Sequence, residues 1–217
     1  MMTALNLMDK IKQITFIKII VVYLRYLIGF AFVFASIVKI KGERFTTIPT
    51  SEPVGYFFEA MYQTGFYWNF LGWCQFIAGC LLMSQRFSTI GAIIFFPIIL
   101  NVTMITYSVN FGMGTPTITL LMLMGTLFLL AWDYKKWIIL FKPDHKIKID
   151  LTNAPADRFM NNPVWVIAGI LFMALTVLLN FLKGQQLVTV WIFTMLSIGV
   201  ASPIIVFIKE KRQNEFF

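Results

Sequence analysis

Six polar side chains lie inside otherwise apolar stretches of this chain: Arg25, Gln75, Asn101, Thr119, Thr126 and Asp133. Together they offer a guanidinium, a carboxylate and four neutral hydrogen-bonding groups. Such a set can close an ion pair, or hold a neutral ligand through its oxygen atoms. No Ser, His and acid constellation accompanies it, so nucleophilic catalysis has no support. The only histidine, His145, stands in a polar stretch, which leaves no histidine pair to ligate haem within an apolar run. There is no Cys-x-x-Cys, no cluster of metal ligands and no glycine-rich phosphate loop, so no metal site is expected. Cys74 and Cys80 are six residues apart and point in different directions on a helix, too far to bridge. They read as small apolar packing residues.

The elements that must position these groups are membrane helices. The 217 residues are 59% hydrophobic and only 13% charged, with a mean hydropathy of +0.78, which excludes an ordinary soluble domain. A spanning helix needs about 20 mostly apolar residues. Six runs qualify: Phe16 to Ile40, Phe66 to Met83, Thr89 to Val109, Thr117 to Trp132, Val164 to Leu182 and Leu187 to Ile208. Thr115 and Pro116 suit the N-cap and first turn of the fourth, and Asn162 and Pro163 those of the fifth. Pro203 predicts a kink in the sixth. The first run follows Lys10, Lys12 and Lys18, as a signal peptide would. It is too long for one, is interrupted by Arg25, and ends in Lys39 and Lys41 rather than a small-residue cleavage site, so it reads as a retained helix.

Lys and Arg sort the connections. One side holds Lys10, Lys12, Lys18, Arg86, Lys135, Lys136, Lys142, Lys146, Lys148, Arg158, Lys209, Lys211 and Arg212; the other holds Lys39, Lys41, Arg44 and Lys183. The positive-inside rule makes the first side, with both termini, cytoplasmic. The net charge of +8 is thereby topological and requires no nucleic acid. Three parts follow: a four-helix core over residues 1–142, a basic cytoplasmic linker over 143–162, and a terminal transmembrane hairpin over 163–217. Within the core, the outer segment 41–65 places Phe57, Phe58, Met61 and Tyr62 on one side of a short interfacial helix.

Within the first span, Lys18, Arg25, Phe32 and Lys39 recur every seven residues and share a face, with Gly29 and Ser36 beside them. Lys18 and Lys39 are expected to snorkel to the headgroups at the two ends. Arg25 lies about 10 Å along the axis. A central Arg costs about 2.5 to 3.5 kcal/mol on insertion scales, so it should face the bundle interior or a wet cavity. Two readings stay open: a structural charge, or one lining a pocket. Gly29, Gly72 and Gly79 suit close helix packing, with Gln75 able to bond across it. Asn101 follows Pro97 by four residues and could satisfy a carbonyl that the proline frees. Thr119, Thr126 and Asp133 repeat by sevens, and Asp133 falls at the depth of Arg25. An Arg25–Asp133 pair is therefore expected to close the cytoplasmic end, with all these stripes facing inward around a modest polar spot. Any redox group would be borrowed; a quinone is the natural candidate, since aromatic walls and a few hydrogen bonds suffice to hold one.

The stretch "LRYLIGFAFVFASIVKI" resembles the first-helix signature of DoxX-like membrane proteins: an Arg, a Gly four residues on, a small residue, then a Lys at the helix end. "FLGWCQFIAGCLLMSQRFSTIGA", "PIILNVTMITYS" and "TLFLLAWDYKKW" are similar to the later helices of that family, and the likeness covers about residues 19 to 137. The resemblance implies a four-helix all-α bundle acting as an accessory subunit of a quinone-linked oxidoreductase in the bacterial inner membrane. It also admits a non-enzymatic scaffold or assembly factor for an envelope complex. A small-solute transporter is a third reading with less behind it. By position, Arg25, Gly29 and Lys39 match the first-helix motif, and Asp133 the acidic end of the fourth. Gln75 stands where many members carry a Glu, which weakens proton chemistry there. The hairpin from residue 163 departs from the four-helix pattern and implies an added docking surface.

Overall fold

The computed structural model describes residues 10–112, 114–137, 159–181 and 185–214. Among the described residues the chain is all-helical. The elements are α1 (Thr15–Ile40), α2 (Pro53–Gln63), α3 (Phe66–Met83), α4 (Ser88–Ser108), α5 (Gly114–Trp132), α6 (Tyr134–Trp137), α7 (Pro163–Phe181) and α8 (Gln185–Asn214). Five helices are long and apolar enough to cross a membrane: α1, α3, α4, α5 and the Val188–Arg212 part of α8. The 19-residue α7 is also apolar. This is a multi-pass membrane protein. Residues 138–158, including His145 and most of the basic linker, lie outside the described part.

Most helix ends fall within a residue or two of the hydropathy boundaries. The start of the fourth span is different: α5 begins at Gly114, so Thr115 and Pro116 sit inside its first turn and Thr115 is not the cap. The proline costs nothing there, because first-turn N–H groups lack intrahelical acceptors. Asn162 does act as expected: its side-chain oxygen accepts from the Val164 N–H at 3.1 Å.

The central element is α1, packed against the antiparallel α3 through glycines. A Cβ on Gly79 would stand 2.7 Å from the Gly29 carbonyl oxygen, and one on Gly72 would stand 2.8 Å from Lys39 Cβ. Only hydrogen side chains permit that approach, the usual device where lipid gives helices no hydrophobic drive to associate. From α3 the chain returns through α4 and α5, and α5 closes back onto α1. Val22, Phe32, Val33, Leu82, Phe95, Ile99 and Leu129 fill the interior. The ring centroids of Phe32 and Phe95 are only 3.8 Å apart.

At the end of the bundle where α1 finishes, α2 folds onto the other helices. Its Phe58 stacks on Phe45 at 5.1 Å and meets Phe111 edge-on at 5.6 Å. Phe57, Phe58, Met61 and Tyr62 are all half-buried. The terminal pair is held mainly by α7. Gly169 lies so close to the end of α3 that a Cβ there would sit 2.1 Å from the Met83 carbonyl oxygen. The Tyr26 hydroxyl donates to the Trp165 carbonyl. By contrast α8 touches chiefly α7.

Candidate functional site

The interior charges meet at the end of the bundle where α1, α5 and the α3–α4 turn converge. Arg25 is 2% exposed and Asp133 6% exposed. Arg25 Nη2 donates to Asp133 Oδ2 at 2.8 Å, closing the ion pair that the matched depths lead one to expect. Three further groups complete the arrangement. Gln85 Oε1 accepts from Arg25 Nη1 at 3.2 Å, while its Nε2 donates to the Val22 carbonyl at 3.3 Å. The Thr89 hydroxyl donates to Asp133 Oδ2 at 3.0 Å. Lys136 Nζ lies 3.1 Å from Asp133 Oδ1.

Burial alone would push the Asp133 carboxyl up, but Arg25 and Lys136, with hydrogen bonds from Lys136 and Thr89, hold it below the usual carboxylate range. The tight turn after α3 presents Gln85: its φ of 58° reverses the chain within a few residues. The Ser88 hydroxyl then donates to the Gln85 carbonyl at 3.0 Å. Within the clamp, Arg25 Nε has no partner among the described residues. Chemically, this is a clamp tying three segments together: its carboxylate is ionised, and its guanidinium is turned toward protein.

Sequence reasoning missed Gln85, Thr89 and Lys136. The usable signal was topological. All three stand at segment ends on the same side as Arg25's turn of α1, and depth matching confined to the first, second and fourth spans and to Asn101 overlooked them.

The other expected site residues do not join this cluster. Thr119 lies 14 residues before Asp133 on α5, about 21 Å away along the axis. There it forms a separate hydroxyl group with α4, Thr106 Oγ1 and Thr119 Oγ1 being 3.0 Å apart, and Thr103 donates to the Thr119 carbonyl at 3.2 Å. Thr126 is fully buried and returns its proton to the Met122 carbonyl at 2.7 Å. Gln75 is 3% exposed, and its Oε1 lacks a partner among the described residues. Asn101 faces outward, donating to the Pro97 carbonyl at 3.0 Å. The helical period explains that correction: Ile99 and Thr103 point inward, which turns the residue midway between them about 160° from the interior at 100° per residue. The single polar spot expected from the sequence is thus dispersed over several levels.

Lys39 also departs from expectation. It does not snorkel; it is 5% exposed, donates to the Ala35 carbonyl at 3.0 Å, and lies 4.5 Å and 5.2 Å from the ring centroids of Phe45 and Trp68. The cause is the fold-back of the 41–65 segment, which covers this end with aromatic rings. Lys18 is likewise 8% exposed, its ammonium 6.0 Å from the Phe159 ring. Both cysteines are free.

No family model matches this chain. It is similar to the uncharacterized protein YwoB of Bacillus subtilis (strain 168), with 32% identity over 75 residues, or 35% of this chain and 47% of that protein. The chain therefore spans about half the length of that relative. No solved structure matches.

Proposed function

We propose that this chain is a DoxX-like subunit of the bacterial inner membrane that docks a quinone-linked oxidoreductase, crossing the membrane six times with both termini in the cytoplasm. The observation that carries the reading is the unequal burial of its helices. In the most apolar window of α1, 50% of the residues are buried, against 11% in that of α8. A long apolar helix that the other described residues leave nearly uncovered suits a second membrane protein as well as lipid. The glycine contacts and the Arg25–Asp133 clamp make the remaining helices a firm frame beneath it. In this reading the redox chemistry belongs to the partner and its quinone. The bias of Lys and Arg between the two sides supports the orientation.

A second reading has its own support. The polar groups of the clamp are spent on one another rather than turned to a ligand, as a scaffold or assembly factor for an envelope complex would have them. Affinity purification from native membranes in mild detergent, with mass spectrometry of co-purifying proteins and quinones, separates the two. The first reading expects a stoichiometric redox enzyme that is lost in Ala201→Trp or Ile204→Trp, both on exposed positions of α8. Recovery of an envelope-assembly protein without a redox enzyme or quinone overturns it in favour of the second.

A further inference from the structure

Between α1 and α8 lies a cleft of about 820 Å³ whose walls include Phe16, Tyr23, Phe30, Trp191, Leu196 and Val200. The helices run antiparallel and are held apart by ring spacers. The Tyr23 hydroxyl donates to the Gly199 carbonyl, and Phe30 packs on Trp191 at 5.4 Å. Near the N-terminal end of α1, the Phe159 ring lies 5.8 Å from Phe207 of α8 and 6.0 Å from the Lys18 ammonium. The rim is open to the bilayer, with Phe16 69%, Leu27 67%, Leu196 60% and Val200 64% exposed.

Two features select an occupant. The first is depth. The cleft follows α1 from Phe16 to Phe30, 14 residues or about 21 Å. It starts where α1 enters the apolar layer and ends about 6 Å beyond the middle of a hydrocarbon core about 30 Å thick. It therefore covers the whole chain region of the leaflet at that end. The second is charge. Continuing the antiparallel register of the Tyr23–Gly199 contact past Phe16 leads to the end of α8, where Lys209, Lys211 and Arg212 flank one carboxylate, Glu210. Lys209, Lys211 and Arg212 are all exposed. Leu196, Val200, Phe207 and Lys211 fall on one stripe of α8, so the apolar wall runs into the basic collar.

We infer that this cleft holds one anionic phospholipid of the leaflet at the basic end, its acyl chain against the aromatic wall and its phosphate at the collar. Each Lys or Arg near an anionic headgroup contributes attraction worth about a fivefold change in binding. Filling the cleft would brace α8 against α1 on one side and leave its outer face for a partner.

Native mass spectrometry of the full chain tests this, with phosphatidylglycerol and phosphatidylcholine of identical acyl chains as the added probes. The expected result is one phosphatidylglycerol retained under activation that strips phosphatidylcholine. The variant Lys209→Ala/Lys211→Ala/Arg212→Ala should lower that retention by about fivefold per charge. Leu196→Trp should displace the lipid with all charges in place. These positions are exposed, so matching gel-filtration profiles with the parent protein separate lost binding from lost folding. Equal retention of the two lipids overturns the inference. So does full retention by the triple variant, or a co-purified isoprenoid quinone held in place of the phospholipid.

Discussion

α1 buries Arg25 near its middle and Lys39 at its C-terminal end, and it does so by different means. Arg25 is held by a carboxylate, an amide oxygen and their supporting bonds, on three segments far apart in sequence. No carboxylate pairs with Lys39 among the described residues; it has one carbonyl and two aromatic faces, drawn largely from its own neighbourhood. The difference matters energetically. Removing one half of a buried ion pair strands the other charge, whereas removing a cation from an aromatic cage strands nothing. The first arrangement ties segments together, and the second covers an end.

The largest effect should come from Arg25→Met, which leaves Asp133 buried with only Lys136 and Thr89: about 3–5 kcal/mol of stability, read as a fall in thermal midpoint and folded yield. Arg25→Met/Asp133→Leu should recover most of that loss, because no charge is then left alone. The charge exchange Arg25→Asp/Asp133→Arg should recover part of it, limited by Lys136 facing the new arginine. An exchange as damaging as either single change would show that the pair does not close this end.

Next in size is Gly79→Ala, whose Cβ would meet the Gly29 carbonyl at 2.7 Å. Pushing α1 and α3 apart should cost about 1–3 kcal/mol by the same measure.

Acid titration sharpens the comparison further. The folded Asp133 carboxyl is held below its unfolded value of about 3.9, so its contribution is complete above that pH and is lost as pH falls through the folded value. Asp133→Asn should remove this part of the acid sensitivity, and Lys39→Met should leave it unchanged. In neutral buffer Lys39→Met should shift stability by no more than about 1 kcal/mol, the worth of an ordinary cation–π contact. A loss matching that of Arg25→Met would mean that a stronger partner holds Lys39. The smallest change is expected for Arg44→Gln. Arg44 makes a two-pronged contact with Glu59, at 2.8 Å and 3.0 Å, and holds that carboxyl below its usual range, but on the exposed outer surface. At physiological salt its loss should leave the thermal midpoint unmoved.

Legibility in the sequence followed the range of the interaction. The Arg25–Asp133 pair was readable because insertion depth follows from position along a helix, and two opposite charges at one depth in an apolar layer have few other partners. The α1–α3 contact could be anticipated from Gly29, Gly72 and Gly79. Asn101 misled because an unbroken run of apolar residues carries no face: in α4 lipid and protein interior are equally greasy, so hydrophobic periodicity is nearly silent. Thr119 and Thr126 do share an inward face, yet separate levels along α5 keep them from the clamp.

What the sequence by itself determined is the membrane class, the placement of the apolar helices and the depth of each charge within them, since length and hydropathy act residue by residue. What only the tertiary structure decided is which way each polar group turns and what covers it. The reversal at Gln85, the fold-back of Phe45 and Phe58 over Lys39, and the gap left between α1 and α8 all depend on segments meeting at a distance along the chain. Their geometry is set by close packing, where a single glycine or ring decides whether two helices touch.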